Sequence, residues 1–87
     1  MKYQIEFSAE AESDIDKLFY ADKKLLARIV NKIESLSDEP RAGKPLVGNH
    51  KGEFSLRVST YRIVYRLATA EHKIFILSIK HRKNVYL

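Results

Sequence analysis

The 87-residue chain contains no cysteine, which excludes a disulfide framework and any thiolate metal site. Its apolar runs are only a few residues long, far short of the roughly 20 that span a bilayer as a helix. The opening stretch MKYQIEFSAE lacks the apolar core of a secretory leader. These absences give the expectation of a cytoplasmic protein with no membrane association. Chain breakers are confined as well: all three glycines and both prolines fall between Pro40 and Gly52, so the segments on either side read as uninterrupted elements. His50, His72 and His81 are widely spaced, and no cluster of carboxylates accompanies them. No metal site and no other cofactor is therefore expected.

Acid is scarce in one half only. Residues 1–50 hold eight Lys/Arg against nine Asp/Glu, a balance of −1, whereas residues 51–87 hold eight against only Glu53 and Glu71, a balance of +6. The net charge of +5 thus resides in the C-terminal part, which favours a polyanionic partner such as nucleic acid.

What is present has clear periods. Over residues 2–7, Tyr3, Ile5 and Phe7 alternate with Lys2, Gln4 and Glu6, the pattern of a half-buried strand. Ser8 can cap a helix with Glu10, Glu12 and Asp14 near its positive end, and Ala11, Ile15, Leu18 and Phe19 form its apolar stripe. Asp22 can cap a second helix with the stripe Leu25, Leu26, Ile29, Val30, Ile33 and Leu36; the short connection implies a helical hairpin. PRAGKPLVGNHKG is one long connection that Leu46 and Val47 are expected to pin to the core. The period of two then returns in FSLRV and YRIVYRL, and KIFILSIK is apolar on both faces, as in a covered central strand. The expectation is a single α+β domain over residues 1–87: an N-terminal strand, a helical hairpin, then a three-stranded antiparallel meander in a mostly antiparallel sheet packed on the helices.

One consequence of this pattern carries chemistry. If Ser59 and Thr60 form a two-residue turn, Arg57 opposes Arg62 while Leu56 opposes Ile63 and Phe54 opposes Tyr65. At roughly 5–6 Å two like charges repel by about 0.8 kcal/mol in water and about 3 kcal/mol at an effective dielectric near 20. Two guanidiniums so held form a fork suited to phosphate; the alternative is that both splay into water. If the last strand lies beside residues 61–67, Arg66, Arg82 and Lys83 extend the basic patch. His81 and Tyr86 are then the groups in reach with a proton to move. A phenol with a pKa near 10 is only about 0.1% ionised at pH 7, an obstacle of about 4 kcal/mol to its action as a base, which neighbouring cations reduce. The alternative for Tyr86 is an apolar plug on the core.

KPLVGNHKGEFSLRVSTYRIVYRL followed by ILSIKHRKNVY resembles the RelE-like toxins of the RelE/ParE toxin–antitoxin superfamily, along essentially the whole chain. Tyr61-Arg62-Ile63-Val64-Tyr65 and His81-Arg82-Lys83-Asn84-Val85-Tyr86 are the most specific parts. The resemblance implies a helical hairpin on an antiparallel sheet. It also implies a metal-independent endoribonuclease that cuts codons in the ribosomal A site, of the 70S particle in a bacterium. A RelB-like antitoxin would hold the toxin, monomeric alone, in a hetero-oligomer. Carried over by position, Arg62, Arg82 and Tyr86 match the family's catalytic residues. Arg57 and His81 fall where it often places basic residues, and Lys80 would join Arg57 and Arg62 around the phosphate. Ser55 stands where the best-known member has a lysine; Lys51, Lys80 or Lys83 could supply that cation. Two alternatives share the fold, a ParE-type poison of DNA gyrase and a weak catalyst that keeps antitoxin binding.

Overall fold

A computed structural model of the chain describes residues 2–84. The elements run β1 (Gln4–Phe7), α1 (Ala9–Ala21), α2 (Lys23–Ser35), β2 (Lys44–Pro45), β3 (Glu53–Val58), β4 (Tyr61–Ala68) and β5 (Lys73–His81), followed by a 3₁₀ turn over Arg82–Asn84. The five strands form one sheet in the order β1-β5-β4-β3-β2. Only the β1–β5 pairing is parallel; the other three are antiparallel. The α+β class and the helical hairpin stand as the sequence implied. The added strand is β2, two residues of the 40–52 connection paired with the start of β3.

Both helices begin where their caps dictate. The Ser8 hydroxyl accepts from Ala11 N at 3.0 Å and the Asp22 carboxylate from Leu25 N at 3.1 Å, each relieving one unpaired N–H of a helix start. The core forms where the helices meet one face of the sheet. Ala11, Leu18, Ile29, Ile33 and Leu36 are buried there against Ile63, Tyr65, Ile74, Ile76 and Ile79. Burial of a large aliphatic side chain contributes about 1.5–3 kcal/mol, so these positions dominate the stability. Two expected core residues lie elsewhere: Phe19 is 46% exposed and Val47 is 87% exposed. Leu46 is half-buried but lines a cavity with Val47, Arg62 and Val64 and is not packed against the core; the connection is held instead by the β2–β3 pairing.

The short β1 leaves half of β5 as an edge, and α1 completes it. β1 pairs with Lys73–Ile76 only. Beyond that point Ser8 N donates to Ile76 O at 2.9 Å, the Ser8 hydroxyl donates to Leu77 O at 2.8 Å, and Ile79 N donates to an Asp14 carboxylate oxygen at 2.9 Å. Unpaired backbone groups at a half-buried edge are costly, which explains an aspartate only 4% exposed in the core-facing stripe of α1.

Candidate nucleic-acid interface

The sheet face turned away from the helices collects the basic residues. In β3–β4 the register pairs Phe54 with Tyr65, Leu56 with Ile63 and Arg57 with Arg62, as the two-residue turn predicts. Ser59 takes a left-handed φ of 55° to make that turn, a conformation unfavourable for a residue with a Cβ. Arg57 is exposed and Arg62 half-buried. Both line a cavity of about 570 Å³ with Ala42, Gly43, Lys44, Ser55 and Leu56. Among the described residues no carboxylate pairs with Arg57 or Arg62, so none of these residues offsets their mutual repulsion by an ion pair. Arg57 also borders a hollow of about 500 Å³ beside Arg28 and Lys32 of α2, which extends the positive field.

The loop flooring the first cavity is set from the core. Tyr65, fully buried, donates from its hydroxyl to Pro40 O at 2.8 Å and accepts from Gly43 N at 3.0 Å. Burial pushes the phenol's pKa up, with the Gly43 hydrogen bond opposing that rise. The chain passes so close here that a Cβ on Gly43 would lie 2.6 Å from Ser55 O and 2.9 Å from the Tyr65 hydroxyl. Only glycine fits at this crossing.

The other basic positions divide. Lys80 is the register partner of Arg62, yet its ammonium is held by Asp14 at 2.7 Å and by Glu10 at 3.3 Å. The Asp14 hydrogen bond, with Glu10 behind it, raises the lysine's pKa despite some desolvation. Its charge is therefore already balanced, and it is a weak candidate for an RNA phosphate. It lines a second cavity of about 470 Å³ with Arg62, Glu10, Glu53, His50 and Val64. Arg66 lies over the Phe75 ring, 4.9 Å from its centroid, and is paired across strands with Glu53. Lys51 is exposed in the turn before β3, outside the linings of both cavities.

His81 is not brought to the arginine face. It pairs with Tyr61, their rings meeting edge-on at 5.4 Å, beside Lys17, Leu18 and Ala21 on the helix side. Its Nδ1 accepts from Lys83 N at 3.2 Å. The physical reason lies in a bulge between Val64 and Tyr65. It leaves Leu77 unmatched and resets the alternation of β5, so that Lys80 rather than its neighbours faces Arg62. Arg82 and Lys83 are exposed, and Arg82 N donates to Thr60 O at 2.8 Å, which ties the start of the basic tail to the β3–β4 turn. Tyr86 lies outside the described residues.

Sequence reasoning missed two contributors. Asp14 reads as one more helix-start acid, because its partners Ile79 and Lys80 are distant in the chain. Lys44 lies in a connection without period; the only available signal was its place between Gly43 and Pro45.

A helical hairpin packs on one face of the sheet, and the other face carries Arg57 and Arg62, which have no carboxylate partner among the described residues; this defines a small α+β domain with a basic face. Comparison with known proteins sharpens this class. Residues 5–86 match the family described as ParE toxin of type II toxin–antitoxin system, parDE. The chain is 38% identical to Toxin RelG of Mycobacterium tuberculosis over 99% of its own length and 98% of the relative's. It is 30% identical to Toxin RelE of the same organism, over 97% and 86%. Among solved structures, the toxin–antitoxin complex RelBE2 from Mycobacterium tuberculosis superposes with a TM-score of 0.82 at 37% identity, covering 94% of this chain and all of that one. The chain belongs to this family: it is a toxin of the RelE/ParE superfamily of type II toxin–antitoxin systems.

Proposed function

We infer that this toxin is an endoribonuclease that needs no metal, cuts mRNA codons in the ribosomal A site and so stops translation. The observation that carries the reading is the Arg57–Arg62 pair. The fold sets two guanidiniums opposite one another in an acid-free cavity, where an anion relieves the repulsion. A phosphate flanked by two such donors becomes a better electrophile as negative charge develops on it. The 2′-OH of the preceding ribose attacks phosphorus while the P–O5′ bond breaks, giving a 2′,3′-cyclic phosphate and a 5′-OH. The 2′ proton passes to a base and the leaving oxygen gains one from an acid. Tyr86 is assigned as the base, since a phenolate is favoured wherever cations stand beside it, and Arg82 serves the leaving group. His81, on the helix side, and Lys80, held by two carboxylates, take supporting positions at most.

Of the two relatives, one is Toxin RelE by name and the other Toxin RelG; the likeness to a RelE-type toxin supports the ribosomal target. The similar RelBE2 structure is a toxin–antitoxin complex, which supports a RelB-like antitoxin as the partner of this chain and a hetero-oligomer as the inactive form. A second reading, poisoning of DNA gyrase, is favoured by the ParE description of the matched family. Loss of one preorganised donor removes roughly 3–4 kcal/mol of transition-state stabilisation, so Arg62→Ala slows codon cleavage on programmed ribosomes at least about a hundredfold. Wild-type rates in both Arg62→Ala and Tyr86→Phe would refute the assignment.

A further inference from the structure

We propose that Lys44 is the third cation of the RNA-phosphate cradle, delivered to Arg57 and Arg62 across the strand pairing from β2. This rests on the ribonuclease reading for its use but on geometry for its existence. Lys44 is the direct partner of Ser55, and directly opposed residues in an antiparallel pair share a face. Ser55 and Arg57 alternate onto the same side of β3, and Ser55 is the partner of Val64, two residues from Arg62. Lys44 is thus the diagonal neighbour of Arg57, at a separation of about 7–8 Å that long side chains bridge. The same cavity is lined by Lys44, Ser55, Arg57 and Arg62. Unlike Lys80, Lys44 has no carboxylate partner among the described residues.

The position is built rather than incidental. Gly43 is pinned by Tyr65 and admits no side chain, Pro45 fixes the backbone on the far side, and Leu46 N donates to Glu53 O at 2.9 Å. Lys44 is therefore a cation held on an ordered backbone directly opposite the neutral Ser55. An edge lysine can also serve only to discourage strand-to-strand association. That bland role changes solubility and leaves RNA affinity alone, so the two are separable.

The test is fluorescence anisotropy with a short single-stranded RNA, 2′-O-methylated so that it cannot be cut, titrated over a range of salt. Lys44→Gln is expected to weaken binding several-fold near 0.1 M salt and to reduce the log–log salt slope by about 0.7, one phosphate contact on a single strand. Lys24→Gln, on the exposed side of α2, is the control for net charge and stays within about twofold of wild type, as expected for a cation outside the contact. Adding Ser55→Lys to Lys44→Gln returns the cation to the same face from the opposite strand and restores both affinity and slope. Unchanged affinity and slope in Lys44→Gln, or a folded double variant without rescue, overturns the proposal. Ribosome cleavage is measured beside it. Lys44-dependent binding without cleavage refutes the ribonuclease reading and leaves the cradle standing, whereas cleavage with no Lys44 effect on binding refutes the cradle alone.

Discussion

Replacing Tyr65 by phenylalanine removes one oxygen from the core and is expected to disturb the site some distance away. The ring stays, so packing against Phe54, stacked at 5.4 Å, is kept. What is lost is the pair of hydrogen bonds to Pro40 O and from Gly43 N, at 2.8 and 3.0 Å. At about 0.5–1.5 kcal/mol each, with two part-buried backbone groups left unpaired, the loss is about 2 kcal/mol. For a domain of this size that lowers Tm by roughly 8–16 °C. The same variant has a signature in alkali. Burial raises the folded-state pKa of Tyr65 above the unfolded value of about 10, so the native state binds more protons and stability falls as pH rises past about 10. Lys80, raised chiefly by its hydrogen bond to Asp14, acts in the same direction from a similar pH upward. Tyr65→Phe therefore flattens part of the alkaline loss and leaves the Lys80 part. Urea melts from neutral pH into alkali measure both effects. An unchanged midpoint at neutral pH together with an unchanged alkaline slope would refute the reasoning that this hydroxyl fastens the loop.

Further substitutions test other joints of the structure. Ser59→Gly relieves a left-handed φ that costs roughly 1–2 kcal/mol with a Cβ, less the roughly 0.5–1 kcal/mol of chain entropy glycine brings. A rise in Tm of a few degrees with unaltered cleavage is expected by calorimetry. Asp14→Ala removes the acceptor for Ile79 N and the main counter-charge of Lys80, a loss of about 3 kcal/mol by denaturant titration. Asp14→Asn, which keeps an acceptor for the N–H, should lose less.

Much of this architecture could be read from residues near one another in the chain. Ser8 and Asp22 announce their helices because a cap oxygen and the N–H that donates to it lie within one turn. The Arg57–Arg62 pairing follows from strict alternation on both sides of a two-residue turn. What escaped depends on distant partners or broken periods. Asp14 is buried for the sake of Ile79 and Lys80, 65 and 66 residues away. The strand β2 has only two residues, one a proline, and so no period. The bulge opposite Tyr65 left one trace, the buried residues Ile74, Ile76 and Ile79, whose spacing departs from two. Missing it places His81 on the wrong face.

The central claim is RNA cleavage by 2′-OH attack on the ribosome. Purified toxin is added to ribosomes programmed with a defined A-site codon, and the message is mapped by primer extension, with gyrase supercoiling run in parallel. Cleavage within that codon, a 2′,3′-cyclic phosphate at the new end, no cleavage when the nucleotide 5′ to the cut carries a 2′-deoxyribose, and unaffected gyrase are the results predicted. An intact message with inhibited supercoiling, or cleavage that survives the 2′-deoxy substitution, would contradict it.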